Sequence, residues 1–391
     1  MTKPIVPSAR TEAVKEYYFS RKLKEIAALR AAGEPIISLG IGGPDLPPPA
    51  MAVDAAVESL RRSSDHGYQM TVGLPELRHA FASWYNDFYA VPDIDPDTQI
   101  LPLIGSKEGV NDISLAFLNP GDGVLVPNPG YPTYTSASGI AQAEIFTYDL
   151  LPENGWYPDF EQLERMPLDR IKVMWVNYPH MPTGAPATAD LFHRLVEFGL
   201  RHGILIVNDN PYSFFLNPGR PLSIFACHPR AYEVALEMNS LSKCLNMPGW
   251  RVGMVLGNPT FINWILKIKS NIDSGQPKAI MLGAIAALSQ PREWYDSLND
   301  VYSARRDVAR RILDALGCTY DRGQQGLFQW GRIPDSETSS ESLCDRVLDR
   351  VKVFITPGFI FGSNGDRYIR ISLCAPVDTL TEALNRIQQT L

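Results

Sequence analysis

Ser240-Leu241-Ser242-Lys243-Cys244-Leu245-Asn246-Met247-Pro248-Gly249-Trp250-Arg251 lies between two short apolar runs, Val234-Ala235-Leu236-Glu237-Met238 and Val252-Gly253-Met254-Val255-Leu256-Gly257. Both runs predict strands. A lysine on a tight turn between buried strands is held rigidly and partly desolvated, which lowers the cost of its neutral, nucleophilic amine. A serine stands three residues before that lysine and an arginine eight after it. A hydroxyl and a forked cation can together grip a phosphate. Lysine beside a phosphate clamp suggests pyridoxal phosphate, whose aldehyde would form a Schiff base with Lys243. Taken alone, the same residues read equally as a surface lysine beside a loop.

The flanking sequence decides between these readings. Val124-Leu125-Val126, Glu144 to Tyr148, Val173 to Asn177 and Ile204 to Asp209 are short runs, most of them nearly continuous and apolar. Such runs suit strands buried on both faces of a mainly parallel sheet, and a helix is expected over 188–201. In these sheets function gathers at the carboxyl ends of strands. The polar clusters fall there: Asn177-Tyr178-Pro179, Asp209-Asn210-Pro211-Tyr212 and Ser240 to Lys243. Further upstream, the strand Ile100 to Ile104, the turn Gly105-Ser106-Lys107-Glu108-Gly109 and a helix to Leu118 make an anion site, because free N–H groups and the helix dipole point at the turn. Asp209-Asn210-Pro211-Tyr212 also reads as a plain turn.

Beyond Trp250 the pattern changes. Helices are expected over 260–270, 278–289, 293–316 and 341–351, with strands at 326–330 and 367–372 and a closing helix to Leu391. At the other end, 11–32 reads as an amphipathic helix with Val14, Tyr17, Tyr18, Leu23, Ile26 and Leu29 on one side. The glycines of Gly40-Ile41-Gly42-Gly43-Pro44-Asp45 would let backbone approach a ligand, or simply make a turn.

With 391 residues the chain is too long for one simple core. Its 45% hydrophobic and 20% charged residues are ordinary for a globular protein, and a net charge of −7 with scattered basic residues leaves no nucleic-acid footprint. The N-terminal residues lack the apolar core of a secretory signal, and no apolar run is long enough to span a bilayer. Five cysteines, an odd number and far apart, fit reduced thiols in a cytoplasmic protein. With no Cys-x-x-Cys pair and no ligand spacing among the histidines, no metal is expected.

Taken together, these segments resemble the class I/II aminotransferases of the fold-type I pyridoxal phosphate enzymes, such as the aspartate and diaminopimelate aminotransferases. The resemblance covers nearly the whole chain. It is carried, in the family's order, by Gly40 to Asp45, Tyr68 with Gly73-Leu74-Pro75, Gly105-Ser106-Lys107, Pro129-Gly130-Tyr131-Pro132, Asn177 to Gly184, Asp209 with Tyr212, Ser240 to Lys243 with Arg251, and Arg370. It implies an α/β fold: a large domain over 46–290 on a mainly parallel seven-stranded sheet flanked by helices, and a smaller α+β domain from 1–45 and 291–391.

The resemblance also implies a homodimer with shared active sites, acting on an amino acid and a 2-oxo acid, with neither nucleic acid nor membrane as partner. Lys243 is then the Schiff-base lysine and proton shuttle, Asp209 the partner of the pyridine nitrogen, and Tyr212 a donor to the cofactor's phenolic oxygen. Tyr131 stacks on the ring, and Asn177 belongs to the cofactor site. Gly105, Ser106, Lys107, Ser240 and Arg251 hold the phosphate, with Tyr68 reaching in from the neighbouring subunit. Gly42 and Arg370 meet the substrate, Arg370 forking onto its α-carboxylate. Alternatives on the same scaffold are a C–S β-lyase and a non-catalytic descendant. One departure stands out. Where the family has Asn-Pro-Thr-Gly, this chain has Met181-Pro182-Thr183-Gly184. Methionine has no N–H to give the phenolic oxygen, so the pKa of the protonated imine is expected to lie higher than is usual for the family.

Overall fold

The computed structural model describes residues 4–8, 10, 11 and 18–390. Seven strands form the central sheet in the order β2-β8-β7-β6-β5-β3-β4. They are β2 (Ile100–Leu103), β3 (Gly123–Asn128), β4 (Glu144–Asp149), β5 (Ile171–Val176), β6 (Leu205–Asp209), β7 (Ala235–Ser240) and β8 (Gly253–Gly257), with β1 (Ile37–Ser38) preceding them in the chain. Strands β4, β3, β5, β6 and β7 pair in parallel, and β8 runs antiparallel to both β7 and β2. Alternate residues of β5 enter opposite cores, Met174 and Val176 on one face and Val173 and Trp175 on the other. A strand covered on both faces has no use for polar alternation, hence the continuous apolar runs.

Helices cover those faces and are bounded by local chemistry. Ala189–His202 starts where the Thr188 hydroxyl accepts the Leu191 N–H at 3.1 Å, and stops at Gly203 with φ +68°. Leu191, Phe192, Leu195, Val196, Phe198 and Gly199 form its buried face, at the three- and four-residue spacing of a helix.

A three-stranded antiparallel sheet, ordered β11-β12-β9, consists of β9 (Phe328–Arg332), β11 (Thr356–Pro357) and β12 (Tyr368–Ser372). The remaining strand, β10 (Val353–Phe354), pairs in parallel with β1, tying residues 37 and 38 to the C-terminal part of the chain.

Several expectations are corrected. The strand expected at 326–330 is shifted by two residues to β9, because Gly326 takes φ +89° in the turn that precedes it. The lysine turn is a single helical turn, Leu241–Cys244. The N-terminal helix is described as Tyr18–Ala31; Val14 and Tyr17 lie outside the described residues, and Leu23 is exposed while Ile26 is buried. Helix Pro132–Ile140 and the two-residue strands β10 and β11 were not anticipated.

Helix Ser106–Phe117 buries one conspicuous carboxylate. Asp112 is 1% exposed, and neither of its oxygens has a hydrogen-bond partner among the described residues. Burial, reinforced by the nearby Glu108 carboxylate, raises its pKa to about 7. An unfolded aspartate titrates near 3.9. A carboxyl raised in the folded state contributes its full stability below the unfolded value and loses it as pH rises through the folded one. Between pH 5 and 8, wild type should therefore lose about 3 kcal/mol that Asp112→Asn keeps, at no more than 1.36 kcal/mol per pH unit. Denaturation midpoints of both proteins at pH 5 and pH 8 check this; parallel curves contradict it.

Candidate active site

Topology gathers the site. Strands β5, β6 and β7 end side by side and deliver Asn177, Asp209 and Ser240 to one edge of the sheet. Because β8 runs the other way, its first residue, Gly253, pairs with Ser240 and also with Leu103 of β2. Arg251, just ahead of β8, is thereby brought to the same edge as the turn after β2. An open cleft of about 720 Å³ results, lined by Ser106, Lys107, Tyr131, Asn177, Asp209, Tyr212, Ser240, Lys243 and Arg251 among others.

Lys243 is half-buried, and its Nζ donates to the Gly42 carbonyl at 2.6 Å. Desolvation lowers the pKa of the amine. That favours the neutral form a nucleophile needs. Gly42 is held close, since a Cβ there would meet the Phe328 ring at 2.3 Å.

Asp209 is 5% exposed, and burial raises its pKa to about 6 although the Tyr134 hydroxyl donates to its Oδ2 at 2.9 Å. Its Oδ1 has no partner among the described residues. A buried carboxylate oxygen facing a cleft without a donor fits a cationic N–H brought by a ligand. Tyr134 is a candidate site residue that the sequence did not single out. Its ring stacks on Trp175 at 5.1 Å with planes 4° apart, which fixes the hydroxyl beside Asp209.

The other end of the cleft is built for an anion. Helix Ser106–Phe117 begins after Gly105, and no side chain caps it, so its first N–H groups point into the cleft. Gly105 takes φ +76°, and a Cβ there would lie 2.1 Å from Arg251 Nη2, so only glycine lets the guanidinium approach. Arg251 itself has φ +56° and donates from Nη1 to the Pro248 carbonyl at 2.9 Å. Ser240 Oγ accepts the Ser242 N–H at 3.2 Å and donates to Ser242 Oγ at 2.9 Å, and both serines line the cleft. Helix N-terminus, two hydroxyls and a guanidinium suit a phosphate; Lys243 and Asp209 suit an aldehyde and a protonated ring nitrogen. The donor set fits pyridoxal phosphate.

Not every expected residue converges. Asn177 lines the cleft, but its amide is engaged internally: Nδ2 donates to the Asp209 carbonyl, and Oδ1 accepts the Met181 N–H at 2.9 Å. Gly42 meets the site through its carbonyl. Arg370 is 5% exposed and stands behind the cleft, giving Nη2 to the Gly40 carbonyl at 2.8 Å and Nη1 to Met181 Sδ at 3.2 Å. Tyr68 is 96% exposed and lies elsewhere, beside Ser274 and Gly275. His180 does not line the cleft; it pairs through Nδ1 with Thr183 Oγ1 at 2.8 Å, and burial lowers its pKa to about 3.

One grouping corrects the reading of the histidines. His193, Glu197 and His228 bring ligand atoms within 4.8 Å of one another. The Arg230 N–H donates to His228 Nδ1 at 3.1 Å, which leaves the ring proton on Nε2, directed at Glu197 2.8 Å away. That nitrogen has no lone pair for a metal.

A family model described as aminotransferase class I and II matches residues 34–387. An LL-diaminopimelate aminotransferase of Dehalococcoides mccartyi is 40% identical over 381 residues, 97% of each chain. One of Aquifex aeolicus is 37% identical, covering 97% of this chain and 98% of that protein. Among solved structures, apo BacF of Bacillus subtilis superposes with a TM-score of 0.94 at 35% identity, over 99% of this chain and 98% of that one. An aspartate aminotransferase mutant of Thermus thermophilus gives 0.91 at 25% identity, over 99% and 100%.

Proposed function

The chain belongs to the class I and II aminotransferases, a pyridoxal phosphate-dependent family acting on amino acids and 2-oxo acids, and we propose that its own cleft moves an α-amino group by way of Lys243. The observation carrying this reading is the pairing, in one cleft, of a desolvated lysine amine with a buried carboxylate whose Oδ1 lacks a donor among the described residues. When bound, pyridoxal phosphate supplies a carbonyl carbon that condenses with amines and a ring that takes up the electron pair left at Cα. Lys243 Nζ would take up and return the proton at the substrate Cα. Asp209 Oδ1 would accept from the ring N–H of the cofactor, with Tyr134 holding Asp209. Tyr212 would donate to the phenolic oxygen, and Tyr131 would cover the ring. Gly105, Ser106, Lys107, Ser240 and Arg251 would hold the phosphate, Asn177 fixes the Asp209 carbonyl, and Arg370 would take the substrate carboxylate.

Tyr68, outside this chain's cleft and fully exposed, suits a role in a second subunit's site, so the enzyme works as a homodimer with shared sites. The division into a large domain, 46–290, and a small one, 1–45 with 291–391, rests on the pairing of β1 with β10. A cytoplasmic location rests on the five unbridged cysteines, together with the lack, among the described residues, of a helix long and apolar enough to cross a membrane.

The names of the relatives make LL-diaminopimelate the first amino donor to try. An amino-donor screen tests the function, followed by half-reaction spectra that watch the cofactor's visible band convert to the pyridoxamine form. Conversion with a stoichiometric 2-oxo acid product supports transamination. Pyruvate and ammonia from a cystathionine-type substrate, with no oxo-acid acceptor, would assign a β-lyase instead. Met181 gives a second check. With no amide at 181 to share the phenolic oxygen, the cofactor's protonated, long-wavelength form should persist to higher pH in wild type than in Met181→Asn; superimposable titrations would refute this.

A further inference from the structure

Met181 stands between Arg370 and the cleft. The Arg370 guanidinium packs 3.9 Å from the Phe328 ring centroid and 4.6 Å from that of Phe361, and Gly40 accepts from its Nη2 at 2.8 Å. Its Nη1 donates to Met181 Sδ at 3.2 Å. Arg370 is not among the residues lining the cleft that holds Lys243 and Asp209, whereas Met181 is. The two parts of Met181 are held very differently. Its backbone N–H is fixed on Asn177 Oδ1 at 2.9 Å, and Asn177 is tied in turn to the Asp209 carbonyl. Its side chain is an unbranched thioether, the most adaptable of the large apolar groups. Sulfur accepts a hydrogen bond only weakly, while a carboxylate takes two charge-assisted bonds from a guanidinium fork.

We infer that Met181 is a gate over Arg370, a positioning residue whose sulfur occupies Nη1 until a carboxylate displaces it. The inference rests on the reading of Arg370 as the substrate carboxylate's partner. The weak sulfur contact keeps the guanidinium turned toward the cleft, and little is lost when it is broken. Once displaced, the thioether lies beside the bound substrate, so residue 181 also shapes the space available there. An amide at this position would grip Arg370 through a stronger acceptor and yield less readily.

The test uses the holoenzyme and propionate, a carboxylate with no amino group to transfer. Calorimetry gives the propionate affinity, and phenylglyoxal modification of Arg370, located by peptide mass, gives its accessibility. Met181→Ala is expected to bind propionate about two- to threefold more tightly, since the weak sulfur contact on Nη1 no longer has to be displaced. Its Arg370 should also react faster than that of wild type, and saturating propionate should slow the modification in both proteins. Met181→Ser opens the same space with a different side chain and should reproduce both shifts. Wild-type affinity and wild-type modification rate in both variants overturn the gate. Arg370→Gln separates this failure from the other. Undiminished propionate binding there defeats the carboxylate role of Arg370 itself, whereas lost binding beside neutral Met181 variants defeats the gate alone.

Discussion

Lys243→Ala is expected to lower turnover by about 10⁴-fold or more, the upper range for removing a positioned acid–base group. The variant should also lack the visible absorbance that the bound cofactor gains on joining a lysine. Both losses have one origin. In the proposed chemistry Nζ both forms the covalent link and moves the Cα proton, so no partial function should survive its removal. Burial already disposes this amine to be neutral, and it donates to the Gly42 carbonyl, which lies on a different segment. Removing it should leave the fold and the phosphate clamp intact, because Leu241, Cys244 and Leu245 supply the buried contacts of that turn. Far-ultraviolet dichroism and melting temperature should match wild type. The other lysine lining the cleft, Lys107, is exposed beside the anion-binding turn. Appreciable turnover in Lys243→Ala, or an unchanged visible band, would mean that Lys107 or another amine does the chemistry.

The sequence carried the central sheet because burial on both faces erases polar alternation, so β5, β6 and β7 appear as short apolar runs that end in polar residues. Lys243, Asp209, Ser240 and Arg251 were legible for the same reason: each lies within a residue or a few of a strand end. Residues whose role depends on a meeting across the fold were not. Tyr134 sits in Pro132–Ile140, a helix rich in Thr, Ser and Gly whose composition reads as loop, and only the stacking on Trp175 aims it at Asp209. Arg370 was legible as a carboxylate binder by resemblance, but its contact with Met181 joins residues 189 positions apart. Asp112 lies beside Ile113 on a helix face, and its isolation follows from which side chains fail to reach it. The exposure of Leu23 likewise contradicts a pattern read from one helix alone. Strands of two residues carry no periodicity, so β10 and β11 could be found only through their partners.

Asp209→Asn is expected to lower turnover by roughly 10² to 10⁴-fold, the range that follows when a buried charge pair worth about 3–5 kcal/mol is broken. The loss should come with little change in cofactor content. The carboxylate is held by Tyr134 through Oδ2, which leaves Oδ1 without a donor among the described residues and open to the ring nitrogen the proposal places there. In the variant, Oδ1 of the amide can still accept from Tyr134, so the side chain should keep its place. What then faces the ring nitrogen is an N–H, which can pair only with the unprotonated ring. The site would select the form that draws electrons poorly, and removal of the Cα proton would slow while the phosphate clamp and Lys243 still retain the cofactor. The charge can be tested apart from the shape. Alone, Asp209 has a pKa raised to about 6 by burial, whereas opposite a ring N–H⁺ the same carboxyl should be pushed down, because the nearby cation favours its charged form. Cofactor binding should therefore be coupled to proton release by wild type near pH 6. Asp209→Asn has no carboxyl to titrate there and takes up the ring unprotonated, so its proton release should not follow the titration of Asp209 and its count near pH 6 should differ from that of wild type. Calorimetry of cofactor binding in two buffers of different ionisation enthalpy measures the proton count directly. Equal counts in the two proteins, or wild-type turnover in the variant, would remove Asp209 from its assigned place at the ring nitrogen.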